Sequence, residues 1–217
     1  MGVFRPILDL LFPPRCVFCR GFLQKSGSLC SCADTLPYCE GEAAIQRGEY
    51  YSLCVSPFTY EDNVRDSHHR YKFQGASFYS RTYAPYLATC IATHCWNRYD
   101  FISWVPLSRK RLRERGYDQA RLLAEDTARE LGGRAVPTLR KVKNTAAQSG
   151  LGGPDERRSN ISEAYAVLDG TLIAGKRILL VDDVSTTGAT LSECARCLLL
   201  AGAEEVICAT LARSSES

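Results

Sequence analysis

The pattern of apolar and polar positions is clearest near the end of the chain, where it predicts a strand, a helix and a second strand. Apolar runs occupy residues 177–184 and 205–211, and residues 190–201 between them have helical spacing. The apolar positions that define this spacing are Leu191, Cys194, Leu198 and Leu199. Strands joined by a helix lie parallel with a right-handed crossover. The sequence therefore predicts an α/β fold with a mostly parallel sheet flanked by helices.

Further strands and helices are predicted upstream of this unit. Residues 50–60 alternate as one or two strands do, and residues 83–95 have the pattern of a helix. A short apolar strand at 101–107 follows, and another strand is predicted around 135–142. The helix between these two strands is closed by Gly132 and Gly133 and has apolar positions at Ala120, Leu123, Ala124, Ala128 and Leu131.

Residues 144–160 have no apolar periodicity and are rich in polar residues and glycine. Connections of this length without secondary structure are uncommon in compact domains, and many of them are functional. We therefore expect a mobile functional loop at 144–160.

Length and composition narrow the class of protein. The chain has 217 residues, of which 45 % are hydrophobic and 24 % charged, and this balance disfavours disordered and low-complexity architectures. No apolar run reaches the length of about 18 residues that a membrane span needs. Asp9 interrupts the short apolar stretch near the N-terminus, so we expect neither a span nor a secretory signal. The expected location is the cytoplasm.

The chain has eleven cysteines, and this odd number indicates reduced thiols rather than a disulfide framework. Five of them lie in the first forty residues: Cys16, Cys19, Cys30, Cys32 and Cys39. The spacing of the first two suits a turn that places both sulfurs on one metal, and the other three offer candidates for the two remaining positions. We predict a cysteine-rich zinc module at 1–45 and a second domain at 46–217. The alternative is a set of free thiols without a metal.

Cys194 and Cys197 have the same two-residue spacing, but they lie in the predicted helix at 190–201. We interpret them as apolar helix packing rather than as a redox pair.

The charge is distributed unevenly along the chain. The net charge of the whole chain is +3, whereas residues 98–158 alone contain 14 basic and 8 acidic side chains. A local positive field suits an anionic partner such as a phosphorylated metabolite or a nucleic-acid backbone. A solvated basic face is the alternative.

The most informative stretch begins where the strand at 177–184 delivers Asp182 and Asp183 to the carboxyl edge of the sheet, where ligands bind in open α/β folds. A small, hydroxyl-rich loop then opens the next helix with Thr186, Thr187, Gly188, Ala189 and Thr190. Backbone N–H groups and the helix dipole can converge on a phosphate there. The carboxylates would accept hydrogen bonds from ribose hydroxyls, and Mg²⁺ would relieve the charge. The ligand that this arrangement predicts is a ribose phosphate.

The segment Val181-Asp-Asp-Val-Ser-Thr-Thr-Gly-Ala-Thr190 resembles the phosphoribosyl pyrophosphate (PRPP) signature of type I phosphoribosyltransferases. Other stretches are similar to the ComF/GntX family of competence-type proteins with this fold. They are Leu10-Leu-Phe-Pro-Pro-Arg-Cys16, Val105-Pro-Leu107, Arg115-Gly-Tyr-Asp-Gln-Ala120, and Gln148, Arg157 and Asn160. The resemblance covers nearly the whole chain, and it implies a PRPP-binding domain behind an N-terminal zinc module.

The resemblance also implies roles for particular residues. Asp182 and Asp183 would hold the ribose hydroxyls and form the catalytic pair. The phosphate would bind at Ser185, Thr186, Thr187, Gly188, Ala189 and Thr190. Cations for the pyrophosphate would be Arg109, Arg111 and Arg115 after the strand at 101–107, with Arg157 from the long loop. Lys72 resembles a family Lys-x-x-Gly stretch and receives less weight.

Three positions depart from the family pattern. Asp118 stands where the family usually has asparagine, and Cys30-Ser-Cys32 stands where it usually has a pair with two intervening residues. Thr186 occupies the position of the general-base aspartate of purine-salvage relatives.

Two functions follow from these features. The first is Mg²⁺-dependent binding of PRPP with phosphoribosyl transfer to an unidentified acceptor, which is a pentosyl (glycosyltransferase) reaction of nucleoside metabolism. The second is a non-catalytic role in competence and DNA uptake, in which the basic segment holds single-stranded DNA. The aromatic residues that would then stack on bases are Tyr71, Phe73, Phe78, Tyr79 and Tyr117.

Overall fold

The structure, a computed structural model, describes residues 13–23, 30–142 and 164–214. Its helices are α1 (Asp62–Phe73), α2 (Ser80–Cys95), α3 (Arg109–Arg115), α4 (Gln119–Glu130), α5 (Gly170–Ile173) and α6 (Ala189–Leu200). Its strands are β1 (Ile45–Gln46), β2 (Cys54–Val55), β3 (Phe58–Thr59), β4 (Phe101–Trp104), β5 (Leu139–Lys141), β6 (Tyr165–Val167), β7 (Arg177–Ser185) and β8 (Glu205–Arg213). Short 3₁₀ turns lie at Ser31–Thr35, Gly41–Ala44 and Ser77–Tyr79.

The main sheet has the strand order β1-β2-β8-β7-β4, and β3 pairs with β8 just beyond β2. Strands β2, β3, β8, β7 and β4 are parallel to their neighbours, and only β1 runs antiparallel. This sheet confirms the predicted α/β fold. The segment predicted as one or two strands forms two, because Pro57 separates β2 from β3 and cannot donate to a ladder.

The two longest strands position the carboxyl edge of the sheet. Strand β4 ends opposite Val181 of β7, whereas β7 continues to Ser185 alongside β8. Asp182 and Asp183 therefore lie on the part of β7 that extends past the end of β4, at the carboxyl edge of the sheet.

Apolar side chains of β7 alternate between two cores, one on each side of the sheet. Leu179 and Val181 belong to the core that contains α1, α2 and α4, together with the first cysteines. Ile178 and Leu180 belong to the core that contains α6 and the β5–β6 hairpin. Because both faces are covered, β7 is apolar continuously rather than alternately.

The structure differs from the sequence prediction at three places. Helix α1 was not predicted, because among its buried positions Ser67 and His68 are polar and interrupt the apolar spacing. The basic helix α3 has no buried residue and therefore no apolar stripe. The strand predicted at 135–142 contributes an isolated bridge at Ala135 to the main sheet, and its remainder forms the antiparallel β5–β6 pair.

The N-terminal residues pack directly on the main core. Phe18 contacts Phe58 and Tyr83, with ring centroids 5.7 Å apart in both pairs. Ser67 Oγ on α1 donates a hydrogen bond of 2.6 Å to the Val17 carbonyl. Strand β1 also spans the boundary between 1–45 and 46–217, so the division of the chain into two domains stays a prediction.

The predicted loop at 144–160, which contains Arg157, lies outside the described residues. In the part of the chain that the structure does describe, no helix combines the length and the apolarity needed to cross a membrane.

Candidate functional site

Asp183 is held by side chains of helix α1. Its Oδ2 lies 3.0 Å from His68 Nε2 and 3.9 Å from Lys72 Nζ, and its Oδ1 accepts the Val184 N–H at 2.9 Å. His68 is buried, and its Nδ1 lies 3.1 Å from the Tyr60 hydroxyl. Burial alone would raise the pKa of Asp183, but His68 and Lys72 outweigh burial and hold this pKa well below its usual value. Asp183 is therefore an anion near neutral pH.

Asp182 has the opposite electrostatic environment. Burial, followed by the charge of Asp183, raises the pKa of Asp182 well above its usual value. Its Oδ1 accepts the Asp183 N–H at 2.8 Å. Two adjacent carboxyl groups with pKa values shifted in opposite directions are typical of sites that handle charge or protons.

The loop after β7 has the backbone geometry that is typical of anion-binding loops. Gly188 has a φ of 70° and is the N-cap of α6, while Thr186 and Thr187 are exposed beside it. Among the described residues, the Thr190 N–H has no backbone acceptor, and the Ala189 N–H reaches only Thr187 Oγ1 at 3.5 Å. Free N–H groups at the positive end of a twelve-residue helix attract anions.

Ser185 was predicted at the same site, but it is buried in strand β7. Its hydroxyl lies 3.3 Å from Gln46 Oε1 and links β7 to β1. The structure therefore brings Asp182, Asp183 and the loop 186–190 together and places the Ser185 side chain beneath them.

The predicted arginines form helix α3, which Ser108 caps by accepting the Arg111 N–H at 3.3 Å. Arg111 and Arg115, one turn apart, are half-buried, whereas Arg109 is exposed. Arg115 donates to Gln119 Oε1 at 3.0 Å. Burial lowers the pKa of Arg115, and the charge of Asp183 opposes this shift. Arg115 is therefore within electrostatic reach of Asp183.

Asp118, where the family usually has asparagine, connects the loop after β4 to the start of α4. Its Oδ2 accepts the Leu107 N–H at 2.9 Å, and its Oδ1 accepts the Arg121 N–H at 3.1 Å at the start of α4. Burial raises its pKa although both hydrogen bonds oppose this. The role of Asp118 in the fold is to hold the loop between β4 and α3 against α4.

Sequence reasoning missed Lys141, His68 and Tyr165. Lys141 Nζ donates to the Tyr165 hydroxyl at 3.1 Å across the β5–β6 pair. Burial lowers the pKa of Lys141, and Arg111 lowers it further. The charge of Asp182 opposes this lowering, so Lys141 is within electrostatic reach of Asp182. A lysine at the carboxyl end of a predicted strand was the available signal.

Four of the five N-terminal cysteines form one cluster: Cys16, Cys19, Cys30 and Cys32, with sulfurs within 4.8 Å of one another. The Sγ atoms of Cys16 and Cys32, and those of Cys19 and Cys30, are 3.5 Å apart. Zn–S bonds of about 2.3 Å in a tetrahedron require S···S distances of about 3.8 Å, so this donor set fits zinc. Cys39 lies apart, with its Sγ 3.5 Å from Thr59 Oγ1.

The turn that contains Cys16 and Cys19 has backbone hydrogen bonds that suit metal ligation. The Arg20 N–H donates to the Cys16 carbonyl at 3.0 Å, and the Gly21 N–H points at Cys19 Sγ at 3.4 Å. Such N–H···S contacts stabilise thiolates. None of the eleven cysteines, all of which lie within the described residues, forms a disulfide, and Cys194 packs in the apolar core as predicted.

Comparison with known proteins agrees with this geometry. Residues 118–217 match the family model described as "Phosphoribosyl transferase domain", and these residues include β7, both aspartates and the loop 186–190. The fold and this edge of the sheet therefore define a protein with a domain of the phosphoribosyltransferase type.

Three relatives identify the family more closely. "Competence protein F" of Haemophilus influenzae is 34 % identical over 227 residues, which covers 92 % of this chain and 97 % of that protein. "Competence protein ComFC" of Bacillus subtilis is 32 % identical, covering 73 % of this chain and 63 % of that protein. The "DNA utilization protein YhgH" of Salmonella typhi is 36 % identical, covering 52 % and 50 %. The chain belongs to the ComF family of competence proteins.

Proposed function

We propose that the chain binds PRPP, or another ribose phosphate, together with Mg²⁺ and transfers the phosphoribosyl group to an acceptor. The observation that carries the proposal is the direct succession of Asp182 and Asp183, at the end of β7, and the anion-binding loop 186–190. A ribose phosphate has its hydroxyl pair and its phosphate at a spacing that suits these two adjacent groups.

Each part of the ligand has a partner in this proposal. The ribose hydroxyls donate to Asp182 and Asp183, and the 5-phosphate accepts hydrogen bonds from Thr186, Thr187 and the backbone through Thr190. Mg²⁺ accompanies the diphosphate as part of the substrate and offsets the charge of the aspartates. Arg111, Arg115 and Lys141 supply the remaining cations for the diphosphate.

The reaction is a substitution at the anomeric carbon of ribose. The bond from this carbon to the diphosphate oxygen breaks, its electron pair leaves with diphosphate, and a nitrogen of the acceptor forms the new bond and loses a proton. Arg111 and Lys141 stabilise the charge that develops on the leaving group. Thr186 stands where purine-salvage relatives have a general base, so the acceptor nitrogen itself must be easily deprotonated or already neutral.

Calorimetric titration with PRPP, with and without Mg²⁺, tests this proposal. We expect binding that depends on Mg²⁺ and competes with ribose 5-phosphate. A wild-type protein that binds neither ligand at millimolar concentration would exclude the proposal.

A second candidate function is an accessory role in competence, in which the chain holds single-stranded DNA. It is favoured by the names of the relatives and by a surface of exposed aromatic and basic side chains. Phe73 and Phe78 are 60 % and 62 % exposed, and the Arg115 guanidinium lies 5.2 Å from the centre of the Phe73 ring. Unpaired bases stack on such rings. Of the other aromatic candidates, Tyr71 and Tyr79 are buried and Tyr117 is half-buried, so they offer no free ring face.

A further inference from the structure

Tyr51 lies in the segment between β1 and β2 and packs between two glycines. A Cβ on Gly48 would be 2.2 Å from Tyr51 Cζ, and a Cβ on Gly188 would be 2.5 Å from the Tyr51 hydroxyl oxygen. No side chain fits at either position, so the tyrosine ring rests on one glycine while its hydroxyl touches the backbone of the loop 186–190. This contact joins residues outside the matched phosphoribosyltransferase segment, 118–217, to the loop within it.

The hydroxyl of Tyr51 has no hydrogen-bond partner among the described residues, although the residue is only 5 % exposed. Hydroxyls without a partner also occur at Ser52 and Thr127, whereas Ser56 and Thr210 lie 2.7 Å apart, and so do Ser103 and Thr138. A tyrosine hydroxyl that has no protein partner can donate its hydrogen bond to a ligand that reaches it.

The direction of the Tyr51 hydroxyl identifies the kind of ligand. It meets the loop at Gly188, the N-cap of a twelve-residue helix, next to the unpaired N–H groups of that helix. Backbone N–H groups and a positive helix end attract an anion and repel a cation. Burial, and then Cys54, raise the pKa of Tyr51, so its hydroxyl remains protonated and able to donate at neutral pH.

We propose that the Tyr51 hydroxyl donates a hydrogen bond to the phosphate monoester held by the loop 186–190 and makes this end of the site selective for that group. The inference rests on the proposed function and names one further binding residue for it. Tyr51 supplies a neutral donor beside the threonine hydroxyls, whereas the diphosphate end relies on charged side chains.

The matched pair Tyr51→Phe and Tyr50→Phe tests the inference. Tyr51→Phe keeps the ring between Gly48 and Gly188 and removes only the hydroxyl, and Tyr50→Phe makes the same change at a half-buried neighbour. The two probes are ribose 5-phosphate and inorganic pyrophosphate, each titrated by calorimetry into wild type and both variants. Thermal melts confirm that the variants fold.

We expect Tyr51→Phe to bind ribose 5-phosphate about tenfold or more weakly, the usual loss for a hydrogen bond to a charged group. Pyrophosphate affinity stays within about twofold, and Tyr50→Phe matches wild type with both probes. Equal loss of both ligands would show a general structural role and overturn the inference.

The remaining outcomes separate this inference from the proposed function. Wild-type binding of ribose 5-phosphate that is unchanged in Tyr51→Phe overturns the role of Tyr51 and leaves the proposed function standing. Absence of ribose 5-phosphate binding in wild type overturns both. If Tyr51→Phe does not fold, Tyr51→Leu provides a second hydroxyl-free variant for the same two titrations.

Discussion

Asp182 and Asp183 are neighbours in the sequence, yet they contact different sides of the sheet. Asp183 meets His68 and Lys72 of α1, whereas Asp182 acts on the pKa values of Lys141, Cys194 and other groups of the second core. Alternation along a strand produces this division, since successive side chains point to opposite faces. Asp183 therefore has His68 and Lys72 next to it, whereas Asp182 is within electrostatic reach of Lys141.

The first prediction concerns the pH dependence of PRPP binding. The pKa of Asp182 is raised, so lowering the pH protonates Asp182 before an ordinary aspartate, at values above about 3.9. A protonated carboxyl group accepts ribose hydroxyls less well, and affinity therefore decreases as the pH falls through this range. Calorimetry at a series of pH values from alkaline to acid measures the effect, and Asp182→Asn should show only the titration of the ligand itself. Parallel pH profiles for the two proteins would contradict the assignment.

The second prediction is that Asp183→Asn weakens Mg²⁺-dependent PRPP binding by roughly 1.5–3 kcal/mol, because a charged acceptor is lost. The variant also leaves His68 and Lys72 without their anionic partner. Asp66→Asn is the control, since Asp66 is an exposed aspartate of the same helix as both of these residues. Titration of both variants decides the matter, and equal affinities would exclude Asp183 from the site.

At the scale of whole elements, the sequence predicted best where one pattern was uninterrupted. The unit β7–α6–β8 was predicted nearly to its observed bounds, because its strands are apolar on both faces and its helix has a regular apolar stripe. Helix α1 was missed because polar Ser67 and His68 are buried in it, the former by bonds to Val17 and Tyr83. Buried polar positions of this kind can be identified only when their partners in the folded structure are known.

The candidate site divides in the same way. The aspartates and the loop 186–190 are contiguous in sequence, so the sequence alone predicted that they act together on one ligand. His68, Lys141 and Tyr51 reach the same place from three other elements, and no local pattern relates them to β7. The sequence also did not predict which four cysteines form the cluster. Cys39 differs from the others only in the position of its chain segment, which packs beside Thr59.

The third prediction tests the zinc module as an element. Protein purified without chelator should contain about one zinc per chain, and Cys16→Ser or Cys32→Ser should remove most of it, because structural zinc sites need all four thiolates. Cys39→Ser is the matched control, and it should keep its zinc. Elemental analysis after dialysis provides the measurement. Zinc loss in the Cys39 variant equal to that in the Cys16 variant would show that the ligand set is wrong.

At the scale of the whole molecule, the two candidate functions use one positive surface in different ways. Helix α3 carries arginines of two kinds: Arg111 is half-buried and acts on Lys141, and Arg113 is exposed. A small ligand beside the aspartates would contact only Arg111. A nucleic-acid strand lying along the surface toward Phe73 would contact both, since its phosphates are spread along its length.

The last prediction uses this difference to separate the two functions. If PRPP is the ligand, Arg111→Ala weakens its binding markedly and Arg113→Ala does not, because Arg111 is half-buried and acts on Lys141, whereas Arg113 is exposed. If single-stranded DNA is the main ligand, both variants lose affinity by similar amounts. Each also reduces the slope of log affinity against log salt by about 0.7, the value for one lost phosphate contact. PRPP calorimetry and fluorescence anisotropy with an oligonucleotide, over 50–200 mM salt, measure the two affinities in the same three proteins. Oligonucleotide binding with no salt dependence would show that phosphate contacts do not carry it. An equal loss of PRPP affinity in both variants would contradict the assignment of Arg111 to the PRPP site.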